Sequence, residues 1–338
     1  MKRLVVVMFI LSMIVSPALA ALGTYPLRYD TVTNPRSLER YLRDHIGGLE
    51  DATAFNSGAD PSGRVYYVDG NKSTAGNGAS WDDAFTTLSA ALAASHADMA
   101  VSSYRKWAAR NTIYCIGDTL TEDLVLMAQK TDIIGLGNNN PYDRCAIVGN
   151  HIIPSTTATP SCRWYNMQFY GDQAAEVWDV DGQAGLEFHG CLIQANGTAT
   201  VGLEASECGW LVVDGCEFGS PDGTNFSSSA IEIPNDTTGP TNIQITNNLL
   251  YGAIGVNVDE TVIAQSIIAY NTIISSGLWI DDESDDFWIF GNKAFTEVDC
   301  DTSTAGYDFN LVRALNNTQA ASGGTDTWDQ VPFIATSE

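Results

Sequence analysis

Basic side chains are scarce in this sequence. Sixteen Lys and Arg stand against forty-one Asp and Glu, a formal charge of -25, and from Trp164 onward only Lys293 and Arg313 face twenty-six carboxylates. A chain this anionic repels nucleic acid and anionic membrane surfaces, so neither is expected as a partner. No Cys-x-x-Cys pair occurs, which argues against a structural zinc site. Seven cysteines in 338 residues are too sparse for a disulfide-built scaffold, so the core must come from packing. If the chain is exported, the odd count leaves at least one thiol unpaired. No apolar run is long enough to span a bilayer.

The amino terminus does carry a recognisable signal. Met1-Lys2-Arg3 is followed by an apolar run from Leu4 to Val15 and then by Ser16-Pro17-Ala18-Leu19-Ala20. These match the charged, apolar and small-residue regions of a secretory signal peptide, so residues 1–20 are expected to be removed after Ala20. Losing Lys2 and Arg3 would leave fourteen basic residues of the sixteen and a charge of -27. The expected location is secreted: extracellular or at a cell surface, with a virion surface as a variant of the same reading. Several Asn-x-Ser/Thr sequons, at Asn71, Asn196, Asn225, Asn235 and Asn316, matter only where exported proteins are glycosylated.

What dominates the rest of the chain is repetition. "LEFHGCLI" from Leu186 returns as "LVVDGCEF" from Leu211. Aligning each copy on the residue after its Gly, Asn or Tyr gives Met167, Cys191, Cys216, Asn248, Asn271 and Asn292, at spacings of 24, 25, 32, 23 and 21. A period in this range signals stacked repeats. Each copy begins with alternating apolar positions, the mark of a strand with one buried face. Gly, Asn, Asp and Ser between copies tolerate the left-handed backbone of sharp corners. No copy contains a convincing helix, so short strands stacked coil on coil are expected rather than strands joined by crossover helices.

This pattern resembles the right-handed parallel β-helix of the pectin-lyase-like superfamily, including a corner ladder of asparagines, here Asn248, Asn271 and Asn292. The segment "YYVDGNKSTAGNGASWDDAFTTLSAALAA" from Tyr66 is similar to the opening of such proteins, a strand, a Gly/Asn-rich loop and a capping helix. "WDQVPFI" from Trp328 is similar to their closing segment. The resemblance implies an all-β fold, a right-handed parallel β-helix or solenoid with an N-terminal capping helix. Expected boundaries are a signal peptide at 1–20, an appendage with a short helix from Ser37 at 21–63, a leading strand and capping helix at 64–110, coils at 111–310 and a closing segment at 311–338. Ser80 is the expected cap of a helix starting near Trp81, with Trp81, Phe85, Leu88, Ala91 and Leu92 on its buried face.

If Phe188, Val213, Ile245, Ile268 and Ile289 point inward, their neighbours form two outward columns. One holds Arg163, Glu187, Val212, Gln244, Ile267 and Trp288; the other holds Tyr165, His189, Asp214, Thr246, Ala269 and Phe290. Stacked neighbours lie about 4.8 Å apart. Arg163 is therefore expected beside Glu187, and His189 between Tyr165 and Asp214. A His held by a carboxylate suits general acid or base work near neutral pH, and Glu187 with Asp214 would suit glycoside hydrolysis. The same residues also read as ordinary cross-strand pairs, Arg163 with Glu187 and His189 with Asp214. Downstream, Asp281, Asp282 and Asp285 in "DDESDD" offer oxygen ligands for a hard cation such as Ca2+, although the spacing is not that of an EF-hand and no cofactor is required. Trp279 and Trp288 flank that run as candidates for stacking on sugar rings.

The catalytic sets of the superfamily's polysaccharide lyases and polygalacturonases do not transfer: "FHG" and an isolated Asp281-Asp282 are poor echoes, and the Arg-Ile-Lys element is absent. The expected function is therefore an exported protein that binds carbohydrate, a polysaccharide or surface glycan, or that forms a cell-surface or virion structure. The alternative is a polysaccharide-degrading enzyme, a hydrolase rather than a lyase, with Arg163, Tyr165, Glu187, His189 and Asp214 as its site. A second copy of the chain is a candidate partner.

Overall fold

A computed structural model of the protein describes residues 63–100, 109–117, 119–137, 145–155, 161–220, 225–234, 241–258, 266–275, 278–280, 287–294, 298–300, 312–315 and 318–319. The signal peptide, the appendage with its helix from Ser37 (save Gly63), and most of the closing segment lie outside the described residues.

The alternation seen in the sequence becomes strands with alternating burial. Asn111–Ile116 and Thr131–Gly135 are buried at every second residue, as a pleated strand with one covered face requires. All named pairings are parallel, and they form three ladders. The first is a ten-stranded sheet running Val65–Asp69, Asn111–Ile116, Thr131–Gly135, Cys162–Tyr165, Glu187–His189, Val212–Asp214, Gln244–Thr246, Ser266–Ala269, Phe287–Phe290 and Val312–Leu315. The second contains Cys145–Val148, Met167–Gly171, Leu192–Ala195 and Glu217–Phe218, and the third contains His151–Ile153, Glu176–Asp181, Val201–Ser206 and Phe226–Ile233. Leu249–Val258 belongs to both. Its first part pairs with Thr272–Ser275 and its last part with Leu278–Ile280, which joins the two ladders in one fifteen-stranded sheet. The chain thus visits the ladders in turn and lays each new strand parallel to the one placed a coil earlier.

Inward positions fall in single register columns. Ile113, Ile133, Trp164, Phe188, Val213, Ile245, Ile268 and Ile289 follow one another strand by strand, and all are fully buried. The bulkiest part of the core packs Trp164, Phe169, Trp178 and Phe188 largely edge to face, with His151 against Trp178. Truncating one such ring to Ala costs about 3–5 kcal/mol. Burial pushes the His151 imidazole down to about 3, so it is neutral in the folded chain.

Between the first and second ladders the chain turns through left-handed residues: Asn166, Gly190, Gly215, Asn247, Tyr270 and Gly291 have φ of 53, 58, 63, 58, 58 and 67°. Each of the first five donates its N–H to the carbonyl one coil on, those of His189, Asp214, Thr246, Ala269 and Phe290. At Gly291 a Cβ would lie 2.7 Å from the Tyr270 ring, and the positive φ favours glycine, although Asn166, Asn247 and Tyr270 carry side chains in the equivalent corners.

The capping helix differs from the sequence expectation. Helix α1 spans Leu88–Ala100, not a segment from Trp81. Residues before it are held by the leading strand and the loop after it: Phe85 N–H donates to the Tyr67 carbonyl, Asp69 N–H to the Phe85 carbonyl, and Gly76 and Gly78 N–H to the carbonyls of Ala84 and Asp83. Those bonds cannot coexist with a helix over 81–87. Ser80 is accordingly no cap; Thr87 Oγ1 accepts from Ala90 N–H, and the Glu122 carboxylate accepts from the N–H groups of Leu88 and Ser89. Leu88, Ala91 and Leu92 are buried as expected, whereas Trp81 is exposed.

Candidate functional site

The first ladder assembles the outward columns in the register read from the sequence. Asp132, Arg163, Glu187, Val212, Gln244, Ile267 and Trp288 are successive partners, as are Tyr67, Tyr114, Ile134, Tyr165, His189, Asp214, Thr246, Ala269 and Phe290. Glu187 and His189 sit two residues apart on one strand, hence on one face.

Glu187 is the hub. Arg163 Nε donates to its Oε1 at 2.8 Å, and His189 Nε2 meets its Oε2 at 3.0 Å. The Tyr165 and His189 rings stack with centroids 5.0 Å apart and planes within 12°. One coil earlier, Arg110 Nη1 donates to Asp132 Oδ1 at 2.8 Å and to the Ser161 carbonyl at 2.9 Å. Burial would lower the Arg163 pKa, but the Glu187 bond and charge outweigh it and raise it. Burial pushes Asp132 up against the pull of Arg110 and Arg163, and it is the leading cause of the rise at Tyr165.

Asp214 departs from the expected pairing with His189. It is the register partner of His189, yet its Oδ1 accepts from Thr246 Oγ1 at 2.6 Å and from Asn247 Nδ2 at 2.8 Å. The carboxylate that binds His189 is Glu187. Burial would raise the Asp214 pKa, but those two hydrogen bonds, helped by the charge of His189, lower it. Both Glu187 oxygens are occupied by Arg163 and His189, an arrangement suited to orienting groups on a surface rather than to nucleophilic attack.

The two tryptophans are not brought together on one ladder. Trp288 is a half-buried member of the first, between Ile267 and Arg313, while Trp279 is on the third, between Asn257 and Asp299. Asp281, Asp282 and Asp285 lie outside the described residues. Among the described residues no group of three or more His, Cys, Asp or Glu is arranged to hold a metal ion, and no helix is long and apolar enough to cross a membrane. Trp210, 62% exposed, and Tyr270, 59% exposed, offer open ring surface.

A second constellation lies on the third ladder. Asp179, Glu204 and Glu232 are register partners on three successive strands. Burial, then Glu176, Asp179 and Glu232, push Glu204 up to about 7; burial, then Glu176 and Asp181, raise Asp179. Glu232 accepts from Ser229 Oγ at 2.6 Å. The signal was present in "VWDV", "GLEA" and "AIEI", the third strand of each copy. Aligning only one strand per copy conceals it.

The fold therefore defines a mostly β protein of stacked parallel strands with a ring-bearing, hydrogen-bonding outer face. No protein-family model matches the chain, and neither a curated protein nor a solved structure matches it significantly.

Proposed function

We propose that the chain is an exported right-handed parallel β-helix of the pectin-lyase-like kind that binds a polysaccharide or surface glycan on the outer face of its first ladder, as part of a cell-surface or virion structure. The observation that carries this reading is the outer column of Tyr67, Tyr114, Tyr165 and His189, interrupted once by Ile134 between Tyr114 and Tyr165, beside Arg163 and Glu187. Every coil of this stretch but that of Ile134 offers a hydroxyl, imidazole or guanidinium group, and neighbouring strands lie about 4.8 Å apart, a spacing that suits an extended polymer. Because Tyr165 and His189 stack on each other, they present edges and hydrogen-bonding atoms, and flat stacking on a sugar falls to exposed rings such as Trp210.

Electrophoresis through gels containing neutral or acidic polysaccharides, with and without calcium, tests the reading. The wild-type chain is retarded by at least one polymer, and Tyr165→Ala weakens binding about tenfold, near 1.4 kcal/mol. Equal mobility in every gel overturns it.

The hydrolase alternative gains support from the third ladder rather than the first. A carboxyl pushed up to about 7 with other carboxyl groups beside it is the kind of group that acid catalysis of glycoside cleavage uses. New reducing ends released by the wild type and not by Glu204→Gln would replace the binding reading with this one.

A further inference from the structure

Four buried cysteines line the region where the first ladder turns into the second, and they divide into two kinds. Cys191 and Cys216 are engaged with backbone: Cys191 Sγ donates to the carbonyls of Trp164 and His189, and Cys216 Sγ to those of Phe188 and Asp214. Cys115, on Asn111–Ile116, and Cys145, which opens Cys145–Val148, instead face each other. Their side chains are 0% and 1% exposed and their Sγ atoms are 2.8 Å apart. That separation is closer than two thiols rest in van der Waals contact, and a small movement separates it from the about 2.05 Å of an S–S bond.

We propose that Cys115 and Cys145 form a disulfide in the mature protein, tying the first-ladder strand of one coil to the second-ladder strand of the next. The oxidant is a thiol–disulfide exchange partner, either a small disulfide such as oxidised glutathione or a protein disulfide. One cysteine thiolate attacks a sulfur of the oxidant and displaces a thiolate; the other cysteine thiolate then attacks the mixed disulfide and displaces the second. Both cysteines lose their protons, two electrons pass to the oxidant, and it leaves as two thiols. Since both sulfurs are buried in the finished fold, the bond forms before these coils close. The proposal takes its oxidant from the export assumed above, but its test supplies one and is independent of export and of glycan binding.

The full chain is reduced and unfolded in urea, refolded in a glutathione redox buffer, alkylated and digested with trypsin. The expected product joins the peptide 111–130 to the peptide 145–163, two hydrogens lighter than their sum, with five of the seven cysteines alkylated. The second peptide also holds Cys162, so fragment sequencing places the bond at Cys145. Cys115→Ser and Cys145→Ser each abolish the linked peptide, and in wild type the oxidised form unfolds at higher urea than the reduced form. Alkylation of all seven cysteines after refolding, or linkage of Cys115 to a different cysteine, overturns the proposal.

Discussion

The same corner is built with sulfur in one region of the molecule and with amide in another. Cys191 and Cys216 occupy the slot in earlier coils, Asn248, Asn271 and Asn292 in later ones, and the bonding topology is shared. Asn248 Nδ2 donates to the Val213 carbonyl, Asn271 Nδ2 to Ile245 and Asn292 Nδ2 to Ile268, each at 2.9 Å. Cys191 and Cys216 reach the equivalent carbonyls of Trp164 and Phe188 at 3.6 and 3.5 Å. Four of the five slots also accept from the corner N–H one coil earlier: Asn248 Oδ1 from Cys216 at 2.8 Å, Asn271 Oδ1 from Asn248 at 2.9 Å, Asn292 Oδ1 from Asn271 at 3.0 Å, and Cys216 Sγ from Cys191 at 3.4 Å. The asparagines add amide-to-amide bonds at 3.0 Å that thiols do not supply. A thiol is a weak donor and acceptor, so one backbone slot carries two strengths of attachment. The weaker corners belong to the coil that carries Glu187 and His189, which turns at Cys191, and to the next, which carries Asp214 and turns at Cys216.

The largest expected effect is at the centre of the amide ladder. Asn271→Ala leaves the Ile245 carbonyl and the Asn248 N–H without their partner in a buried site, and urea unfolding should show a loss of about 3–5 kcal/mol. A loss below about 1 kcal/mol would break the comparison. Stability at neutral pH also includes the carboxylate column, whose Glu204 and Glu232 share coils with the sulfur corners. Glu204 keeps its proton to about 7 when folded, against an ordinary value of 4.5, so the folded state binds more protons in that interval and stability falls as pH rises from 4.5 to 7. Glu204→Gln should flatten that slope and stabilise the protein at pH 8 by of order 1 kcal/mol, after allowing for solvent screening of a half-exposed group. An unchanged slope would place the pH response elsewhere. Smallest is Cys191→Ala, which should cost less than Asn271→Ala by a factor of two or more, because the thiol bonds removed are weak.

Much of this architecture was legible in the sequence because side-chain alternation and a repeating corner are local signals. The positions of Phe188, Val213, Ile245, Ile268 and Ile289, and the neighbours in the outer columns, followed from aligning "FHGCLI" with "VDGCEF". What the alignment does not encode is which side-chain atoms meet. His189 meets Glu187 on its own strand, while Thr246 and Asn247 engage Asp214 through its Oδ1. Helix α1 started late because the leading strand captured Phe85, a contact set by pairing rather than by propensity. The Asp179, Glu204 and Glu232 column was visible in principle, but only to an alignment that followed the third strand of each copy.

Hydrogen exchange at the corner amides tests the central contrast most directly. The N–H of Cys191, given to sulfur, should exchange faster than those of Cys216, Asn248 and Asn271, each given to an asparagine oxygen. Protection of Cys191 equal to or greater than that of Asn248 and Asn271 would contradict it.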